Sequence, residues 1–181
     1  MATRFRRSRG GVVVTFHPDE AVVLRSLLHQ LEEMLATDEP ETDADIDPLA
    51  AAVGIGGSTE PPADPAIARL LPDAYPDDAE AAADFRRYTE LGLRERKRAA
   101  IRTALAGLAT PGARRTLGTE EAHAWLAALN DLRLVIGTRL DLRDDADRIE
   151  IAPEEDDPRR TLYDVYDWLT LLQETLVRAL W

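Results

Sequence analysis

The chain of 181 residues contains no cysteine, which excludes disulfides, thiolate nucleophiles and cysteine-ligated zinc. Histidine is scarce. His17, His29 and His123 fall in separate segments, without the close spacing that a zinc site or a His-Glu-x-x-His helix needs. Long apolar runs are missing as well. The arginine-rich start is followed only by Val12, Val13 and Val14, too short a run for a signal-peptide core, and nothing approaches a membrane span. Arg6-Arg7 is therefore not read as an export signal. Ser8, Ser26 and Ser58 lie in no nucleophile-elbow context, and Ser26 stands one turn from His29 with no orienting acid marked. These absences leave no legible catalytic, cofactor or metal site and no membrane anchor, and they fit a reducing cytoplasm.

Positive charge is also short, but unevenly so. The net charge is −12, and residues 37–80 hold twelve acids against Arg69 alone, a net of −11. The remainder is close to neutral, so the low pI says little about what the body of the protein binds. Residues 37–62, acidic and rich in Pro, Gly and Ala, read as a flexible acidic loop. The run Gly54-Ile55-Gly56-Gly57 within it lacks the strand, helix and Lys-Ser/Thr pair of a phosphate loop.

What is present is helical periodicity. Ala122, Trp125, Leu126, Leu129, Leu132, Ile136 and Leu140 recur at steps of three and four, with Thr119 as the expected N-cap. Leu162, Val165, Tyr166, Leu169, Leu172, Leu176 and Leu180 repeat the steps forty positions later, with Gln173 in the place of Arg133. Shared bundle geometry accounts for this more simply than duplication. The two helices are expected to be core partners. Residues 4–7 and 11–16 read as strands of a hairpin around Arg9-Gly10-Gly11. His17-Pro18-Asp19-Glu20 starts a helix whose stripe is Val23, Leu24, Leu27, Leu28, Leu31, Met34 and Leu35. A short helix over residues 64–71 precedes a long one from about Asp77 to Leu108, with Phe85, Tyr88, Ile101, Leu105 and Leu108 as expected core contacts. A brief extended piece is expected at residues 148–151.

Two features of these helices bear on binding. The long helix carries Arg86, Arg87, Arg94, Arg96, Lys97, Arg98 and Arg102, which reads first as a solvated, ion-paired face and second as a docking patch. Arg133 falls inside an apolar arc, so with Asn130 and Asp131 it is expected to be structural, its charge met by an ion pair or by a fork of hydrogen bonds to helix-end carbonyls. Leu134 and Val135 lie opposite the main stripe, and Leu171 with Trp168 takes the matching place on the last helix. That back face is expected either to be covered by a second layer or to form, with Arg94, Arg96, Lys97 and Arg98 on its rim, a dimer or partner surface. Nonspecific DNA contact through the basic cluster or the arginine arm is not favoured. The helices around residues 99–108 and 119–143 are about ten residues apart, too far for a helix-turn-helix, and Glu120 and Glu121 would meet phosphates with the wrong sign.

Two strings, WLAALNDLRLVIGTRL at residues 125–140 and YDWLTLLQETLV at residues 166–177, carry a resemblance. Together they resemble the AosR-type oxidative stress regulators of actinobacteria, a family long described as of unknown function. The resemblance implies a cytoplasmic protein that controls transcription in oxidative stress through a protein partner such as a sigma factor or RNA polymerase. The family's redox sensing is tied to a cysteine pair, which this chain does not have. Thiol sensing is therefore excluded here, and regulation would rest on binding.

The fold expected is mainly α: one domain over residues 1–181, a helical bundle with a short N-terminal β-hairpin (residues 1–17) and the acidic loop (residues 37–62) within it. The function expected is a non-enzymatic regulatory interaction protein, with a homodimer as one form of the interaction. The alternatives are an adaptor unrelated to transcription and an enzyme whose site is assembled from distant residues.

Overall fold

Gly11 decides how the chain begins. Its φ of +126° strains any L side chain, and a Cβ there would meet the Leu117 carbonyl oxygen at 2.1 Å. Around Arg9-Gly10, β1 (Arg6–Ser8) and β2 (Gly11–Val14) pair antiparallel with Arg6 opposite Val13. Both strands are shorter than expected, and the hairpin is not alone. A third strand, β3 (Arg115–Leu117), pairs with β2 so that Val13 faces Thr116, giving the order β1-β2-β3. The computed structural model describes residues 3–37, 59–110, 112–142, 153–154 and 156–181. The expectations for the acidic loop at residues 38–58 and for the extended piece at residues 148–151 lie outside the described residues.

Five helices follow among these residues. In α1 (Pro18–Thr37), proline takes the first position and the Glu20 carboxylate accepts from the His17 amide at 2.9 Å, closing the helix start. Ala21, Leu24, Leu28, Leu31 and Leu35 are buried, whereas Val23, expected in the stripe, is exposed. Next comes α2 (Pro65–Leu70), capped by Asp64, whose side chain accepts from the Ala66 amide at 2.8 Å and pairs with Arg139. The long helix α3 (Ala79–Gly107) is capped by Asp78.

The central helix is α4 (Thr119–Arg139), which touches every other helix as well as β2 and β3. Its N-cap is Gly118, one residue before the expected Thr119. Glycine has no side chain with which to cap, and the Glu121 carboxylate accepts from the Gly118 amide at 3.0 Å instead. At its far end Asp141 takes φ +59°, and Leu142 donates to the Gly137 carbonyl at 2.8 Å, which stops the helix. The last helix, α5 (Arg160–Leu180), runs antiparallel to α4, with Gln173 near Asn130 and Tyr166 near Gly137.

The two periodic stripes read from the sequence face each other. Trp125, Leu129, Leu132 and Ile136 are buried with Leu169, Leu172 and Leu176. The sheet closes one end of this core through three rings. Phe5 stands edge-on to Phe16 and to Trp125, at 5.9 and 5.8 Å between centroids, while Phe16 stacks on Trp125 at 5.3 Å. Gly107 makes room for them: a Cβ there would meet the Trp125 ring at 2.9 Å. The buried Phe5 amide donates to Thr175 Oγ1 at 3.2 Å, fastening β1 to α5.

Candidate functional site

The densest polar feature is inside the molecule, where the sequence suggested a solvated face. Arg86, Glu90 and Arg94 lie one turn apart on α3 and are 6%, 3% and 2% exposed. Glu90 accepts from Arg86 at 2.9 Å through one oxygen and from Arg94 Nη2 at 2.8 Å through the other. Arg86 also pairs with Asp73 and donates to the Leu71 carbonyl at 3.5 Å, at the end of α2. Arg94 donates to the Leu35 carbonyl at 3.1 Å, in the last turn of α1. The ladder therefore holds the C-terminal ends of two helices, where free carbonyls and the helix dipole favour cations. Burial works against the Arg86 cation, but its bonds to Glu90 and Asp73 outweigh that and hold its pKa above the ordinary value.

This corrects the expected docking surface in one respect: Arg94 is not on a rim but buried. Phe85 and Tyr88, expected in the core, are exposed instead. The charged ladder has taken the inward phase of the helix, so the aromatic side chains beside it point out. Lys97 is also engaged, its ammonium 2.7 Å from the buried Asp131 carboxylate. Desolvation raises the Asp131 pKa, and the Lys97 ion pair pulls it back only in part. Arg96 is exposed, with Nε donating to the Gly92 carbonyl at 3.2 Å, and Arg98 is half-buried.

Arg133 forks to neutral side chains of α5, where an ion pair or helix-end carbonyls were expected. Nε donates to Thr170 Oγ1 at 2.9 Å, Nη1 to Gln173 Oε1 at 2.7 Å and Nη2 to the Tyr166 hydroxyl at 3.2 Å. Gln173 in turn donates to Asn130 Oδ1 at 3.4 Å. Leu134, Val135 and Trp168 are half-buried against the core, and Leu171 is half-buried. The Trp168 indole N–H is enclosed with no hydrogen-bond partner among the described residues. The structure thus leaves only part of the expected back face open.

Three of the exposed large apolar side chains gather elsewhere. Tyr75 and Phe85 meet edge-on at 5.9 Å, Tyr88 lies one turn along α3, and all three are about half exposed. Exposed carboxylates at Asp73, Asp77, Asp78, Glu80 and Asp84, and the exposed Arg87, lie close to them in sequence. Sequence reasoning missed this patch because it assigned large aromatics to the core. The signal that could have found it is phase: Ile101, Ala104 and Leu108, stepped back along α3, lead to Arg94, Glu90, Arg86 and Ala82 and not to Phe85.

Chemistry at this surface is limited. No group of three or more His, Asp or Glu side chains able to hold a metal occurs among the described residues. His17 lies 3.4 Å from Asp19, and His123 lies edge-on to Trp181. No described helix is long and apolar enough to cross a membrane.

Comparison with known proteins places these features in a family. The chain is 37% identical over 177 residues to a Mycobacterium leprae protein assigned as an oxidative stress regulator, AosR. It is 34% identical over 183 residues to the oxidative stress regulator AosR of Mycobacterium tuberculosis and to that of Mycobacterium bovis. Each match covers 90% of this chain and 79% of the relative. No solved structure matches the chain. Residues 2–180 match the family described as a domain of unknown function, DUF2017, and the chain belongs to that family.

Proposed function

We propose that the protein is a non-enzymatic regulator that acts on transcription in oxidative stress by binding a protein partner, a sigma factor or RNA polymerase. The observation that carries this reading is the similarity, over nine-tenths of the chain, to relatives named oxidative stress regulators. The absence of cysteine limits the mechanism: regulation works through contact and not through a thiol switch. We assign the partner contact to Tyr75, Phe85 and Tyr88. Exposed aromatic side chains that supply apolar area at little entropic cost suit a binding hot spot, and the carboxylates close to them in sequence select a basic, apolar segment of the partner. Arg96 and Leu171 remain available to a larger interface.

Affinity capture with the purified protein tests the proposal. RNA polymerase or a sigma factor should be retained, and Phe85→Ala with Tyr88→Ala should lose it while the fold is unchanged, both side chains being exposed. Capture that is equal for the wild type and the double variant would remove the contact from this patch. Failure to retain either partner under oxidative or resting conditions would overturn the transcriptional reading.

A further inference from the structure

We infer that the outer face of the three-stranded sheet is a binding site for a compact anion carrying several phosphates. Between that face and the start of α1 lies a cleft of about 630 Å³, within the usual size of small-ligand sites. Arg4, Arg6, Arg7 and Arg114 line it, and no Asp or Glu is among its described lining residues. Register accounts for the convergence. Arg6, Val13 and Thr116 are cross-strand partners on the outward face, and Arg4 and Arg114 lie two residues further along the same face. The two edges of the sheet thus bring guanidiniums to either side of Val13, roughly 10 Å apart at the backbone. The short Val13 and Thr15 side chains leave the dip between them.

All four arginines are exposed. Arg7 donates to the Trp181 carbonyl at 3.1 Å, while Arg4, Arg6 and Arg114 have no acidic partner among the described residues. The acids at the start of α1 have contacts of their own. Asp19 faces His17 at 3.4 Å, and Glu20 accepts from the Thr3 and His17 amides at 3.1 and 2.9 Å. Gly112 donates to the Phe16 carbonyl at 3.2 Å and so holds the loop that presents Arg114.

Arg4, Arg6 and Arg114, three cations on one face with planar forked donors, call for a ligand with several charged oxygens, which phosphates supply, while Arg7, opposite the buried Val12, alternates to the other face. A single-stranded nucleic acid fits less well, because the described residues at the cleft offer one exposed aromatic ring, His17, and not a row of rings for successive bases. The cationic row spans only the width of a three-stranded sheet, which a compact anion covers. The inference does not depend on the transcriptional partner.

Calorimetric titration with tripolyphosphate, orthophosphate and a short DNA duplex at matched ionic strength tests it. Tripolyphosphate should bind one to one, and the double variant Arg6→Gln with Arg114→Gln should weaken it about tenfold or more with an unchanged circular dichroism spectrum. Orthophosphate should bind far more weakly. Undiminished tripolyphosphate binding in the double variant, or no saturable binding in the wild type, would overturn the site. Duplex binding tighter than tripolyphosphate and lost in the double variant would overturn the compact ligand and assign the face to a nucleic-acid backbone.

Discussion

Arg133 and Gln173, forty residues apart and at equivalent steps of two apolar stripes, are hydrogen-bonded to each other at 2.7 Å. The one charge in the α4 stripe is thereby met by α5, with the Tyr166 ring also 5.2 Å from the guanidinium carbon. Arg133→Met keeps the apolar stem but strands Thr170, Gln173 and Tyr166. It should lower stability by about 1–3 kcal/mol in urea unfolding, the range for hydrogen bonds to a charged group. Partner binding by the folded variant should be intact. Full stability with lost binding would instead make Arg133 a contact residue.

Glu90 is the counter-charge of two buried guanidiniums, so removing it should be costly. Glu90→Ala should destabilise by about 3–5 kcal/mol, because two buried guanidiniums would lose the carboxylate they share. The triple variant Arg86→Met, Glu90→Leu, Arg94→Met should recover much of that loss. If Glu90→Ala unfolds at the wild-type urea midpoint, the ladder is not the clamp described.

The Lys97–Asp131 pair gives a prediction in pH. Burial raises the Asp131 pKa above its ordinary 3.8, against the pull of Lys97. Protonation is then easier in the folded state than in the unfolded one. The associated stability is fully present below the ordinary value and is lost as pH rises through the raised one. Compared with Asp131→Asn, in which other carboxylates cancel, the wild type should lose advantage as pH climbs through that window. Paired urea titrations across the acid range measure it, and an advantage that grows with pH would mean that the ion pair outweighs burial.

The sequence made the helical core legible because apolar residues repeating at three and four over twenty positions arise from little besides a helix with one buried face. Trp125, Leu129, Leu169 and Leu172 are buried as their spacing requires. The short helix expected over residues 64–71 is likewise kept, as Pro65–Leu70. β3 was not legible, since Arg115-Thr116-Leu117 is too short to show a period and its reason for pairing, the β2 edge, lies a hundred residues away. The Arg86-Glu90-Arg94 ladder escaped for a different reason. Charges at one-turn spacing look alike on a wet surface and in a core, and only the phase inherited from Ile101 distinguishes the two.

The way β1 is fastened bears on synthesis. Its strand leaves the ribosome before its partners, since the Phe5 amide bonds to a side chain 170 residues later and Arg7 to a carbonyl 174 residues later. Closing such distances is slow, and translation adds its own delay. Until β3 has emerged, the nascent hairpin carries two open edges able to pair with another chain. Arg6, Arg7 and Arg9 place like charges along that edge, so two nascent copies repel each other where they would otherwise add strand to strand.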